Sequence, residues 1–220
     1  MIADKFRGQN NLLKAYNMML YFAGTMVMWD PENECIHDFW KEGILKSLPV
    51  KSSNPRFMKA AAQLRESISD DNSGFEKMKK DFTALFTGPG SSLAPPTESG
   101  FRAKYNFISG EKRPAVTEFY QAYGWQSTFR DTISDDHIGI ELLFLTLMIE
   151  KYLELDDEVC NIEMKNEILR FMDDHVLTWV PEWNDRIQEH AITLSYKGIG
   201  TLILACIEDL HGIMEGKLNG

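Results

Sequence analysis

Between Gly88 and Arg113 the chain cannot run as one helix or strand. Gly88-Pro89-Gly90-Ser91-Ser92 and then Pro95-Pro96 break it with residues that loosen the backbone or lack its hydrogen-bond donor. On both sides of this break the apolar residues recur at helical spacing, so the chain reads as two helical halves around a long irregular segment. A structureless connection of this length inside a compact chain is usually a functional loop or a domain junction.

Leu12, Leu13, Tyr16, Met19, Leu20, Ala23, Met26 and Val27 predict a first buried helix, closed by Asp30-Pro31. Lys14 and Asn17 interrupt it before it reaches the roughly 20 apolar residues that a membrane span needs. Asp30-Pro31 and Asn54-Pro55 each read as an N-cap followed by Pro at the first helical position. The first opens a helix to about Lys46, the second a helix from Arg56 to Ile68. Ser73 reads as the cap of a helix ending near Phe86. Beyond the break, helices are expected from Pro114 to Trp125 and from Asp136 to Leu155, the latter apolar almost all round and so the central one. Met164, Ile168, Met172, Val176 and Trp179 form a stripe that stops at Pro181, and a short helix follows. Ile199, Leu202, Ile203, Cys206, Ile207, Leu210 and Met214 form the last stripe. No Asn-Gly or Asp-Gly hairpin lies between alternating runs, and no repeat is present. The expected fold is all-α: one bundle-like domain over residues 1–220, of about eight or nine helices, with a long functional loop at 88–113.

Charge sharpens this picture. The net charge of −10 argues against binding nucleic acid through a basic face. Residues 131–190 hold 16 acidic and 4 basic side chains, a local −12, whereas the rest of the chain is near balance. That half is either a solvated acidic surface or a face for a cationic partner. Cys35, Cys160 and Cys206 are too few and too scattered for a disulfide framework or a zinc site, which fits a reducing cytoplasm.

Enzymatic patterns find little support. No Lys follows the glycine-rich segment as a phosphate loop requires, and no GxSxG elbow is present. Glu34-x-x-His37 and Glu208-x-x-His211 repeat the pair of motifs that di-iron bundles draw from two helices, and a helical-bundle di-iron enzyme is the alternative reading. Against it, Glu34 opens its helix among polar neighbours and Glu208 falls beside the apolar stripe. His137 and Glu141 stand one turn apart on one helix face behind Asp135-Asp136. Asp173-Asp174-His175 sits mid-helix and needs only a polar face.

Three blocks nevertheless resemble one family. Leu85-Phe86-Thr87-Gly88-Pro89-Gly90, followed by Pro95-Pro96-Thr97-Glu98-Ser99, is similar to the LFxGPG…PPxES segment of the TorD/DmsD chaperones of molybdenum-containing reductases. Tyr123-Gly124 and then Asp136-His137-Ile138-x-x-Glu141-Leu142-x-Phe144 follow at the family's spacing, and His175-x-x-x-Trp179-x-Pro181 comes third. The resemblance covers residues 82–183. It departs at Asp135, where the family usually has Pro, and in the N-terminal quarter, which matches in helical pattern only.

The resemblance implies a cytoplasmic, all-helical, non-enzymatic protein that binds the twin-arginine signal peptide of a molybdopterin oxidoreductase precursor. It would assist cofactor insertion before export, with no cofactor or metal of its own, no nucleic-acid partner and no stable membrane insertion, as a monomer or a swapped dimer. Carried over to this chain, Gly88, Pro89, Gly90, Pro95, Pro96, Glu98 and Ser99 lie in a loop near the peptide, with Tyr123, Asp136, His137 and Glu141 on its other side. Asp136 or Glu141 is expected to contact an arginine, because carboxylates take guanidinium groups in charge-assisted, bidentate bonds. His137 either joins in or orients the loop through a hydrogen bond, and Glu98 either binds peptide or satisfies loop donors.

Overall fold

The computed structural model describes residues 2–42, 47–67, 72–88, 92–102 and 115–217. Among these residues the chain is all-α, with ten α-helices and no strand. They are α1 (Ile2–Met28), α2 (Glu34–Glu42), α3 (Pro55–Ser67), α4 (Asn72–Phe82), α5 (Glu98–Arg102), α6 (Val116–Ala122), α7 (Ile138–Glu154), α8 (Glu158–Phe171), α9 (Val180–His190) and α10 (Leu194–Met214). One contiguous apolar core runs from Leu13 in α1 to Met214 at the end of α10. No described helix is long and apolar enough to cross a membrane.

The two Xaa-Pro devices behave differently. At Asn54-Pro55 the side-chain Oδ1 of Asn54 accepts the Arg56 amide at 2.9 Å, so Asn54 caps α3 as expected. At Asp30-Pro31 the carboxylate accepts the Glu32 amide at 2.8 Å and closes a turn instead, so α2 starts only at Glu34. Likewise α4 begins at Asn72, which puts Ser73 inside its first turn.

The centre of the molecule is α10 rather than α7. It packs against α1, α3, α4, α8 and α9, and every residue from Gly198 to Ile207 is buried. Two of its polar residues, Thr201 and Asp209, are inside and satisfied, and the Thr201 hydroxyl donates to the Lys197 carbonyl at 2.9 Å. Asp209 accepts from Tyr16 Oη at 2.7 Å, Ser52 Oγ at 2.6 Å and Asn54 Nδ2 at 3.0 Å. Gly198 lets α3 lie close, since a Cβ there would stand 2.6 Å from Leu64 Cγ. At the entrance to α10, buried Asp81 of α4 accepts the Ile192 amide at 3.0 Å and the Thr193 amide at 2.6 Å.

Of the expected loop, 89–91 and 103–113 lie outside the described residues; the described stretch 92–102 is not structureless, since it carries α5 and buries Ala94, Pro96 and Glu98. A second departure concerns the Met164 stripe. α8 does not continue regularly to Trp179; it passes into a π-helical turn, Met172–Val176, before α9. A π turn takes an extra residue and so rotates the next side chains about the helix axis. As a result, His175 faces inward instead of lying on a polar face.

Candidate functional site

The described part of the irregular segment is fastened to α4 and α9. The Leu93 and Ala94 amides donate to the carbonyls of Ala84 and Leu85, each at 3.0 Å, in a π-helical turn, Thr83–Thr87, that prolongs α4. Trp183 Nε1 donates to the Ala94 carbonyl at 3.3 Å. Gly88 closes the π turn, where a Cβ would come within 3.1 Å of the Thr83 carbonyl. Pro89 and Gly90 lie outside the described residues.

Thr97 then pairs with His137 in an isolated antiparallel bridge. The bridge uses the Pro96 carbonyl, which accepts the Ile138 amide at 2.8 Å, and the Glu98 amide, which donates to the Asp136 carbonyl at 2.9 Å. Neither Pro95 nor Pro96 is asked for a donor, so a double proline is tolerated here. The first and second blocks are thereby locked together.

Asp136 stands at this junction and is 1% exposed. Its Oδ2 accepts the Ser99 amide at 2.9 Å, and its Oδ1 accepts from Ser134 Oγ. His137 is the N-cap of α7, one residue later than a cap at Asp136 would place it, and its Nδ1 accepts the Gly139 amide at 3.0 Å. That bond puts the ring proton on Nε2 and requires a neutral imidazole. Burial pushes the His137 pKa down to about 4, although the neighbouring Asp136 charge acts in the opposite sense. The ring bond is thus a cap on α7 itself.

The third block closes the network. His175 Nδ1 lies 3.3 Å from Glu98 Oε2, and Trp179 Nε1 donates to Glu141 Oε2 at 3.2 Å. Glu98, Glu141, His175 and Trp179 are all buried. Asp136 and Glu141, expected to meet an arginine, thus have their carboxylates turned to internal partners. Ser99, by contrast, is exposed.

Tyr123 occupies a different place. It ends α6 as the C-cap, and Gly124 follows at φ +62°, a conformation that glycine adopts without strain. The Gly124 amide donates to the Gln121 carbonyl and the Trp125 amide to the Tyr120 carbonyl, both at 2.9 Å. The Tyr123 hydroxyl donates to Glu167 Oε2 at 2.9 Å, away from the Asp136 junction. Burial and that carboxylate push the phenol up to about 12, and Arg170 holds Glu167 below the usual carboxylate range. The Phe119 ring lies 5.6 Å from the Tyr123 ring and 5.9 Å from that of His175, so aromatic packing is what connects Tyr123 to the network.

Sequence reasoning left His175 and Trp179 out of the site, although the third block contains both. The paired Glu-x-x-His motifs do not assemble. Glu208 binds Arg56 at 2.9 Å and Asn54 at 3.2 Å, while His211 Nε2 lies 2.9 Å from Asp173. The His37 ring meets the edge of Phe75 at 4.8 Å. Among the described residues no three His, Cys, Asp or Glu side chains are grouped so as to hold a metal ion.

Comparison with known proteins identifies the family. A relative described as chaperone protein TorD, from Psychrobacter sp. (strain PRwf-1), is 26% identical over 142 residues. The match takes in 63% of this chain and 62% of the relative, so the chain spans less than two thirds of that protein's length. The family model for the nitrate reductase delta subunit matches residues 52–185, which contain all three blocks and the network that joins them. The chain belongs to the nitrate reductase delta subunit family, the family of TorD-type proteins.

Proposed function

We propose that this chain is a maturation chaperone, which binds the twin-arginine signal peptide of a molybdopterin oxidoreductase precursor and holds the precursor for cofactor insertion before export. The observation that carries this reading is the convergence of three blocks, far apart in sequence, on one buried network: Glu98 with His175, Glu141 with Trp179, and Asp136 with Ser99. The network fixes the shape of the surface above it, and that suits a binding role. In this reading the described part of the peptide-facing surface runs over Gly88, Pro95 and Ser99 and on toward Tyr123. Pro96, Glu98, Asp136, His137 and Glu141 act from beneath as positioning residues. The acidic second half draws the leader's guanidinium groups, and the work is done in the cytoplasm with no cofactor of the chain's own.

Calorimetry with a synthetic twin-arginine leader tests the proposal. Saturable binding without chemical change of the peptide is expected, weakened when both arginines are replaced by glutamine. Failure of the leader to bind at millimolar concentration would overturn it.

A further inference from the structure

Helix α1 buries most of its apolar residues but leaves Met18 and Tyr21 57% and 58% exposed. They do not stand alone. Together with Lys14 and Asn17 they line one wall of a surface groove of about 590 Å³, whose other wall is the second half of α7 with Glu150 and Glu154. The groove is set apart from the block network. Nine residues of helix separate Glu141 of the network from Glu150, about 13.5 Å at 1.5 Å per residue.

Three features say what the groove takes. Glu150 and Glu154 stand one turn apart on the same helix face, where like charges disfavour each other. Among the described residues neither is paired with a cation. Asn17, 7% exposed, donates through Nδ2 to the Thr146 carbonyl at 3.1 Å and to Glu150 Oε1 at 3.4 Å, while its Oδ1 finds no donor among the described residues. An occupant that brings two cations, an extra N–H and apolar side chains would complete all three. Guanidinium groups provide the cations and the donors together.

We propose that the groove between α1 and α7 seats the arginine pair and the adjoining apolar residues of the leader, with Glu150 and Glu154 facing the guanidinium groups and Met18 and Tyr21 covering the apolar side chains. This inference rests on the function proposed above and adds a location that the three blocks do not contain. Lys14, on the opposite wall, offsets part of the groove's negative charge and opposes a basic ligand. Reversing that charge should therefore strengthen binding.

The test is fluorescence anisotropy with a labelled synthetic leader against wild type, the double variant Glu150→Gln/Glu154→Gln, and Lys14→Glu. All three positions are exposed, and circular dichroism with thermal melting verifies that each variant folds as wild type does. At about 0.1 M salt the double variant should bind at least about tenfold more weakly, roughly one strong charge-assisted bond, and Lys14→Glu several-fold more tightly. Both differences should shrink toward none with a leader whose arginines are glutamine. If wild type and double variant bind the leader equally, the groove is not its seat, although the chaperone reading stands. If wild type binds no leader, both proposals fall together. A dimer of wild type in sedimentation that dissociates in the double variant would assign the groove to a second copy of the chain and overturn this assignment.

Discussion

Glu98 Oε2 and His175 Nδ1 lie 3.3 Å apart inside the protein, although 77 residues separate them in sequence. The contact ties α5, which the glycine-proline segment carries, to the π turn between α8 and α9. Removing one partner of a buried, hydrogen-bonded pair leaves the other poorly solvated. His175→Ala should therefore destabilise the fold by about 3 kcal/mol in urea unfolding, and His175→Gln, which keeps a donor, by clearly less. Equal stability of wild type and His175→Ala would mean that the segment is not fastened through this pair.

The second cross-block bond calls for a milder change. Trp179→Phe keeps most of the ring, which packs 5.5 Å from that of Phe101, but removes the Nε1–H that donates to Glu141. A hydrogen bond to a carboxylate is worth about 1.5–3 kcal/mol, so chemical denaturation should register a loss of that size. Glu141→Gln in the Trp179→Phe background should then cost less than it does in wild type, because the shared bond is already absent.

His137 predicts a pH dependence with a definite sign. Its folded pKa is lowered from 6.5 to about 4 by burial, so the unfolded chain takes up the proton first. The contribution is fully present above pH 6.5 and is lost as the pH falls toward 4, reaching about 3 kcal/mol. Protonation at Nδ1 would also take the acceptor away from the Gly139 amide. His137→Asn keeps a capping acceptor that does not titrate. Unfolding free energies of this variant measured from about pH 7 to pH 4 should fall less steeply than those of wild type; parallel curves would refute the assignment.

Much of the fold was legible because helical periodicity, Asn54-Pro55 and the apolar run of α7 are local signals. The features that misled are tertiary. Asp30-Pro31 has the same letters as a helix start, but its carboxylate closes a turn. Thr201 and Asp209 carry no sequence signal of burial, and Lys197, Tyr16, Ser52 and Asn54 come against them only in the fold. His175 read as polar because the π turn that rotates it inward leaves no mark in spacing. The site was half legible for the same reason: the blocks named Glu98, Asp136, His137 and Glu141, but only folding reveals that they bond across the blocks. The groove of Met18, Asn17, Glu150 and Glu154 carries no motif at all.

Burial at the junction and exposure in the groove predict opposite outcomes in one experiment. If Asp136 and Glu141 act by positioning, Asp136→Asn and Glu141→Gln should weaken leader binding without selecting for the peptide's arginines. Replacing those arginines by glutamine should then cost the variants as much as it costs wild type, within the roughly 0.3–0.5 kcal/mol of independent sites. A carboxylate that touches a guanidinium behaves otherwise: once it is gone, losing the arginine costs less, with a coupling of about 1 kcal/mol or more. Salt separates the two classes again. Exposed pairs are screened over about 8 Å at physiological ionic strength, so raising salt should erase the effect of Glu150→Gln/Glu154→Gln and leave that of Asp136→Asn nearly unchanged. Strong, salt-sensitive coupling between Asp136 or Glu141 and a leader arginine would place the guanidinium at the junction after all. That outcome would require Asp136 to release the Ser99 amide, or Glu141 the Trp179 indole, when the peptide binds.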